Sequence, residues 1–395
     1  MKNIEYLSPA RLAWQRYKKN VTGMISLVFI VLCTLLAIFA YYIIPDDTPD
    51  ANTQILEIST QKPGFEVDIL LVPKPISVEE AGFWGRLVNG RPSAYRQIPF
   101  DSLNVGETST TVYVFNPERS GEVKTEVVDH EVFTTNDTNN TNFTTNDTNN
   151  TNFTTNCTND TNCTNVEDFV VHRRFLLGTD QFGRDFLSRL VLGTRISLSV
   201  GFIAVILSVL IGLLVGGLGG FFRGRVDDVV MWFINVVWSL PTLLIVIAIT
   251  FALGKGVAQV FIAVGLTMWV EVARVTRGQI LSIRETTFVE AGRALGFRNA
   301  RIIIRHIIPN VINPIIVISA ANFATAILLE AGLSFLGIGV QPPMPSWGSM
   351  IKENYAYIIL DNAYLAILPG IAIMLLVLAF MLMGNALREA LNVKK

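Results

Sequence analysis

Six stretches of the chain are almost without charge, at residues 22–44, 197–221, 229–253, 257–273, 311–337 and 364–387. An α-helix needs about 20 apolar residues to cross the hydrocarbon core of a bilayer, so each is expected to span. The first three and the last are uniformly apolar. The fourth carries Gln259 and Glu271, and the fifth carries Asn313, Pro314, Asn322 and Glu330. Polar atoms at membrane depth need partners, so these two are expected to be buried among other helices. Within the second run Gly212, Gly216 and Gly220 recur every four residues, a spacing that lets two helices approach closely.

Composition agrees with a membrane protein: 51% of residues are hydrophobic and 16% charged, against about 25% charged in soluble domains. The net charge of −1 gives no reason to expect a nucleic-acid partner. It hides an asymmetry. Residues 45–175 hold 20 acidic and 9 basic side chains. Arg and Lys gather instead at 1–21, 222–228, 274–310 and the C-terminal tail. With six spans these basic segments fall on one side, which by the positive-inside rule places both termini in the cytoplasm. Residues 45–175 are then an extracytoplasmic insertion. The 23-residue first run is longer than the core of a signal peptide.

Within that insertion, Val, Ile, Tyr and Phe scattered between prolines at 63–133 point to a small β-rich domain. A tandem repeat follows at 134–163: TTNDTNNTNF occurs twice, then TTNCTNDTNC. Its composition cannot build a core, so disorder is expected. The repeat holds nine Asn-x-Thr sequons, at Asn136, Asn139, Asn142, Asn146, Asn149, Asn152, Asn156, Asn159 and Asn162. They are glycosylation candidates where an organism modifies such sites, although a neutral repeat expansion explains the tract equally well. Cys157 and Cys163 are a candidate disulfide; Cys33 lies in the first span. No metal-ligand spacing is present, and the three histidines are far apart.

The stretch TTFVEAGRALGFRNARIIIRHIIPN, residues 286–310, separates the fourth and fifth runs. Thr287 and Glu290 fit a capping box, Phe288, Ala291 and Leu295 share a helical face, and Gly296 suits a left-handed helix end. Asn299 is placed to cap a second helix that meets Pro309. A short helix held out of the membrane, with small residues Ala291, Gly292 and Ala294, is a docking knob for a partner. Arg293, Arg298, Arg301 and Arg305 read as a topology signal and headgroup contacts.

This stretch resembles the EAA loop of ABC-importer permeases, in which EAA is followed after three residues by Gly and later by Ile-x-Leu-Pro. Glu290, Ala291, Gly296 and Pro309 match; Gly292, His306 and Ile308 depart from it. Together with LGTDQFGRDFLSRLVLGTRISLSVG at 177–201 and EAGLSFLGIGVQPPMPSWGSMI at 330–351, it makes the chain similar to the second permease subunit of dipeptide, oligopeptide and nickel importers. The resemblance is close over 175–390, weak over 10–45, and leaves 46–174 unexplained.

It implies an all-α polytopic membrane protein with six transmembrane helices in the type I (MetI-like) permease fold, plus the large insertion. The expected organisation is a cytoplasmic segment 1–21, a first span 22–44, the insertion 45–175 and a permease core 176–395 with its coupling loop at 274–310. The implied partners are a second permease, two ABC ATPases, an external solute-binding protein and membrane lipid. ATP and Mg would be used by the ATPases, since this chain has no P-loop and is not itself an enzyme. Glu290, Ala291, Gly292, Ala294, Leu295 and Gly296 would carry the coupling. Glu330, Asn322 and Trp347 are candidates for the translocation path, against the alternatives of internal pairing for Glu330 and headgroup anchoring for Trp347. The cargo implied is a short peptide, with nickel chelates, glutathione or oligosaccharides as alternatives. An anchored surface glycoprotein is the competing class, but it needs one or two spans rather than six. An intramembrane enzyme is disfavoured because no span contains a histidine or paired aspartates.

Overall fold

The computed structural model describes residues 9–75, 82–117, 124–133, 166–254 and 256–391. The nine sequons, Cys157 and Cys163 lie outside the described residues. These residues form two compact units, one of 1–37, 193–352 and 366–395, the other of 38–192 and 353–365.

The first unit is helical. Helix α1 (Pro9–Lys19) leads into α2 (Val21–Ile38). Gly23 brings α2 against the last helix, α13 (Tyr364–Leu391), because any larger residue there would overlap Ala386. The Asn20 amide donates to Glu389 at 2.9 Å and closes the same junction. The middle of the chain supplies α5 (Phe186–Phe222), α6 (Gly224–Trp238), α7 (Thr242–Leu253), α8 (Val257–Ile283) and α11 (Ile308–Phe335). Among the described residues, five helices are long and apolar enough to span.

The third expected span, 229–253, is not one helix. α6 and α7 meet at 90°, and only the bent pair taken together makes a sixth span. Pro241 explains the break: it has no N–H to give and restricts the residue before it. Pro309 has a milder outcome. The expected second helix does not stop there but runs on from Asn299 to Phe335 through a π-turn at Ile303–Ile307. Pro309 has no N–H to give to the turn before it, and that is where the π-turn lies.

As the polar residues of the fourth run imply, α8 is the most enclosed of the spanning helices among the described residues, whereas α11, for all the polar residues of the fifth run, is no more enclosed than α13. Val260, Ala263, Val264 and Met268 of α8 pack with Val246 of α7, Ala204 of α5 and Ala326 and Leu333 of α11. The glycine stripe of α5 seats it on α8. A methyl group at Gly212 would lie 2.5 Å from Val272, one at Gly216 would overlap the Ala273 carbonyl, and one at Gly220 would lie 2.9 Å from the Arg277 carbonyl.

The second unit corrects the all-α expectation. It contains a five-stranded antiparallel sheet of β1 (Phe65–Pro73), β2 (Tyr95–Val105), β3 (Ser109–Val114), β4 (Thr125–Asp129) and β5 (Val170–Phe175), ordered β4-β3-β2-β1-β5. β1 is paired on both edges, Ile69 opposite Pro99 on β2 and opposite Val171 on β5. Both its faces are covered. Leu70 joins Ile98, Phe100, Val112 and Val114 on one side. Ile69 and Val67 join Ile55, Ile58 and Phe175 on the other. This is the β-rich domain expected at 63–133, completed by a strand that lies beyond the tandem repeat.

Candidate functional site

The expected docking knob is α9 (Thr287–Ala294). Its C-terminal end forms as the glycine implies. Gly296 takes φ +73°, the Gly296 N–H donates to the Arg293 carbonyl at 2.9 Å, and the Phe297 N–H donates to the Gly292 carbonyl at 3.0 Å. This pair of bonds is a Schellman end. The N-terminal end corrects the sequence reading. The cap residue is Thr286 rather than Thr287, it makes no side-chain cap, and its hydroxyl turns back to the Ile283 carbonyl at 2.5 Å. The Thr287–Glu290 capping box is therefore not formed. Asn299 likewise lies inside the next helix, α10 (Asn299–Ile302), whose cap position is Arg298.

One face of α9 is buried. Val289 packs with Phe221, Ile280, Ile302 and Ile307, and Phe297 lies against the same cluster. Gly292 is on this inner side, where a methyl group would meet Phe297 at an ordinary 3.5 Å. It therefore belongs to the seat of the helix, not to the exposed small-residue surface expected of it. The opposite face is open. Phe288 is 45% and Leu295 72% exposed, and Glu290, Ala291, Ala294 and Gly296 are exposed with them.

The base of the loop is tied down. Arg277 makes two hydrogen bonds to the Asp227 carboxylate at 2.5 and 2.6 Å, and Arg284 donates to the Phe221 carbonyl at 2.5 Å. Arg293 lies over the Phe221 ring and Arg301 over the Phe297 ring. The Arg274 guanidinium lies over the Trp238 ring, 3.6 Å from its centroid, and reaches Asn235. The result is an apolar patch with one carboxylate, carried on a short helix whose surroundings are fixed by cations and rings.

The translocation candidates are interior. Glu330 is fully buried, Asn322 is 2% and Trp347 3% exposed. The Glu330 carboxylate accepts from Ser334 at 2.7 Å, and the Ser334 oxygen accepts the Val340 N–H at 3.0 Å. Glu330 thus anchors the turn leading to α12 (Trp347–Asn354). α12 lies close on α11, since a methyl group at Gly348 would overlap the Ala331 carbonyl. Trp347 is packed against Gly193, where a methyl group would be 2.6 Å from the indole, so it is not a headgroup anchor. The Asn322 amide nitrogen alone of this set is a donor with no hydrogen-bond partner among the described residues.

One constellation was missed in the sequence. Arg184 and Arg189 are 2% and 1% exposed. Arg184 binds Asp180 and Glu353, both at 2.6 Å, while Arg189 lies 3.6 Å from Asp180 and 3.7 Å from Glu353. The only sequence signal was the four-residue spacing of Asp180 and Arg184 in the 177–201 stretch. Nothing in it pointed to Glu353. Beside them Asp185 accepts the Ser188 N–H and hydroxyl at the start of α5, and burial raises its carboxyl above the ordinary range.

Residues 197–393 match the family model of the binding-protein-dependent transport system inner membrane component, and residues 8–63 match the N-terminal transmembrane domain of oligopeptide transport permease C. The chain belongs to this permease family. It is 39% identical over 218 residues to the glutathione transport system permease protein GsiD of Pectobacterium atrosepticum, covering 55% of this chain and 72% of that one. It is 40% identical over 222 residues to the di/tripeptide transport system permease protein DppC of Pseudomonas aeruginosa, covering 56% and 73%. The dipeptide permease DppC of Alkalihalophilus pseudofirmus is 39% identical over 217 residues, covering 55% and 71%. Among solved structures, the inward-facing MetNI methionine ABC transporter aligns with TM-score 0.44 and 20% identity over 52% of this chain and 98% of that chain. Permeases of this family are transport components, not enzymes. Strands β1–β5 lie between the two matched segments.

Proposed function

We propose that this chain is one of two related permease subunits of an ATP-driven importer of short peptides. An external binding protein delivers the cargo, and two ATPases that use Mg-ATP bind on the cytoplasmic side. The observation that supports this most is α9 itself. A helix with Phe288, Leu295, Ala291 and Ala294 exposed around Glu290, on a rigid cationic base, is a surface built to be covered. Its place in the motif of the permease family makes an ATPase groove the occupant. Closure of the ATPases would move α9, and the packed cluster of Val289, Ile280, Ile302 and Ile307 would pass that movement to α8 and α11.

On this reading both termini and α9 are cytoplasmic and the sheet is extracytoplasmic, as the distribution of Arg and Lys favours. Sequons in the tandem repeat would then be accessible to glycosylation. Asn322 and Glu330 each hold a buried polar atom with no hydrogen-bond partner among the described residues and are the better path candidates; Trp347 acts in packing. Peptide cargo is favoured by the dipeptide and di/tripeptide relatives. Glutathione is the second reading, because a glutathione permease is equally similar and that cargo is itself a short peptide.

The test is Glu290→Ala in the assembled complex in proteoliposomes. The Glu290 side chain is exposed and has no hydrogen bond or ion pair among the described residues, so insertion and assembly should be unchanged while transport-coupled ATP hydrolysis falls. Uptake and hydrolysis at the unmodified rates would remove Glu290 from the coupling surface.

A further inference from the structure

Helix α4 (Phe83–Asn89) lies in the segment that neither family match covers. Its sequence is FWGRLVN. Phe83, Trp84, Leu87 and Val88 fall at i, i+1, i+4 and i+5, one face of a helix. That face is not turned into the sheet core: Phe83 is 59%, Trp84 74% and Val88 54% exposed.

Both ends of α4 are nonetheless fastened, and to one place. The Tyr42 ring of α3 (Ala40–Ile43) lies tilted against Phe83, centroids 5.6 Å apart, and its hydroxyl donates to the Phe83 carbonyl at 3.2 Å. Arg86 lies 4.7 Å over the Tyr42 ring and pairs with Asp47 at 3.1 Å. The Arg91 N–H donates to the Asp47 carbonyl at 2.7 Å. Gly90 permits this approach, since a side chain there would sit 2.5 Å from the same carbonyl.

The segment that holds α4 is the end of the first apolar run. Leu32 and Leu35 of α2 are 59% and 47% exposed, and after the bend Phe39 and Ile43 are 43% and 56% exposed. Exposed apolar residues thus recur along the sequence from the first run through Phe39 and Ile43, in the segment that holds α4. Exposed aromatic residues next to the end of a span, flanked by Arg86 and Arg91, are what the water–lipid interface selects: rings at headgroup depth and cations near the phosphates.

We propose that α4 is an interfacial foot, a short amphipathic helix whose Phe83–Trp84–Val88 face lies in the lipid interface and fixes the sheet-bearing unit at the membrane surface. The proposal rests on residues 22–44 being a membrane span; it does not depend on which side they emerge or on the cargo. An open helix face of this kind could also be covered by another protein, and the test separates the two.

A nitroxide is attached at Trp84→Cys, or in a second preparation at Val88→Cys, in the full chain carrying Cys33→Ala, Cys157→Ser and Cys163→Ser. The protein is placed in lipid nanodiscs, and collisions with oxygen, which partitions into lipid, are compared with those of an aqueous nickel chelate. Labels at Leu32→Cys in the span and Glu107→Cys in an exposed turn are the references. The foot predicts an oxygen-to-nickel ratio at both positions shifted to that of the Leu32 label. A ratio like that of Glu107 would overturn it by placing α4 in water. Immobile labels reached by neither reagent would overturn it by placing α4 under a protein.

Discussion

At the residue scale the buried charges define the most vulnerable positions. Arg184 and Arg189 have lost nearly all contact with water and depend on Asp180 and Glu353. Removing Glu353 leaves two buried guanidiniums sharing the single carboxylate of Asp180, and a broken buried ion pair costs about 3–5 kcal/mol. Glu353→Ala should therefore lower the melting temperature of the purified chain strongly, whereas Glu290→Ala should leave it in place. Equal melting of Glu353→Ala and the parent chain would show that water replaces the missing carboxylate. The cluster was illegible in the sequence because Glu353 is 169 residues from Arg184 and a charge pair carries no pattern at that range. Gly296 was legible for the opposite reason. A left-handed end needs a particular residue at a particular place, and the chain itself displays it. The capping box failed between these cases. Thr286 and Thr287 are adjacent, and the choice between them depends on how the chain leaves α8, which a local motif does not contain.

At the element scale the helices were set by the length of apolar runs, and the helix packing by small residues. Gly216 faces the Ala273 carbonyl without room for a methyl group, whereas the nearest atom to a methyl group at Gly217 is 4.0 Å away, on Ile280. Gly216→Val must push α5 from α8, at the about 1–3 kcal/mol typical of overpacking. Gly217→Ala should be tolerated. Thermal unfolding in detergent checks the pair, and equal melting of the two variants would contradict the packing assigned to the stripe. The same runs gave the spans but missed the 90° bend between α6 and α7. Summed hydrophobicity is blind to Pro241, which removes one N–H from an otherwise continuous stretch. For α9, spacing gave the helix and its exposed Phe288, Ala291 and Leu295. It did not give the inward position of Gly292, which is fixed by the contact with Phe297.

At the scale of the molecule, a helical permease chain carries a second unit built on a sheet. Its strands read in the sequence only as scattered β-formers between prolines. The pairing of β1 with β5 joins segments on either side of the tandem repeat, a register that no local signal encodes. The helical unit supplies what an importer permease needs: helices of spanning length, close α5–α8 packing, and one short helix with an uncovered apolar face. That face is the centre of the account. It is tested most directly by purifying the tagged chain from its native membrane after mild cross-linking and identifying by mass spectrometry what accompanies it. A second, Leu295→Asp preparation, which places a charge on the more exposed of the two large apolar residues of the α9 surface, runs beside it. The account predicts a second permease and two P-loop ATPases with the parent chain, and loss of the ATPases but not of the second permease with Leu295→Asp. A chain that is reproducibly free of ATPases after cross-linking, or ATPases retained equally by both preparations, would contradict it.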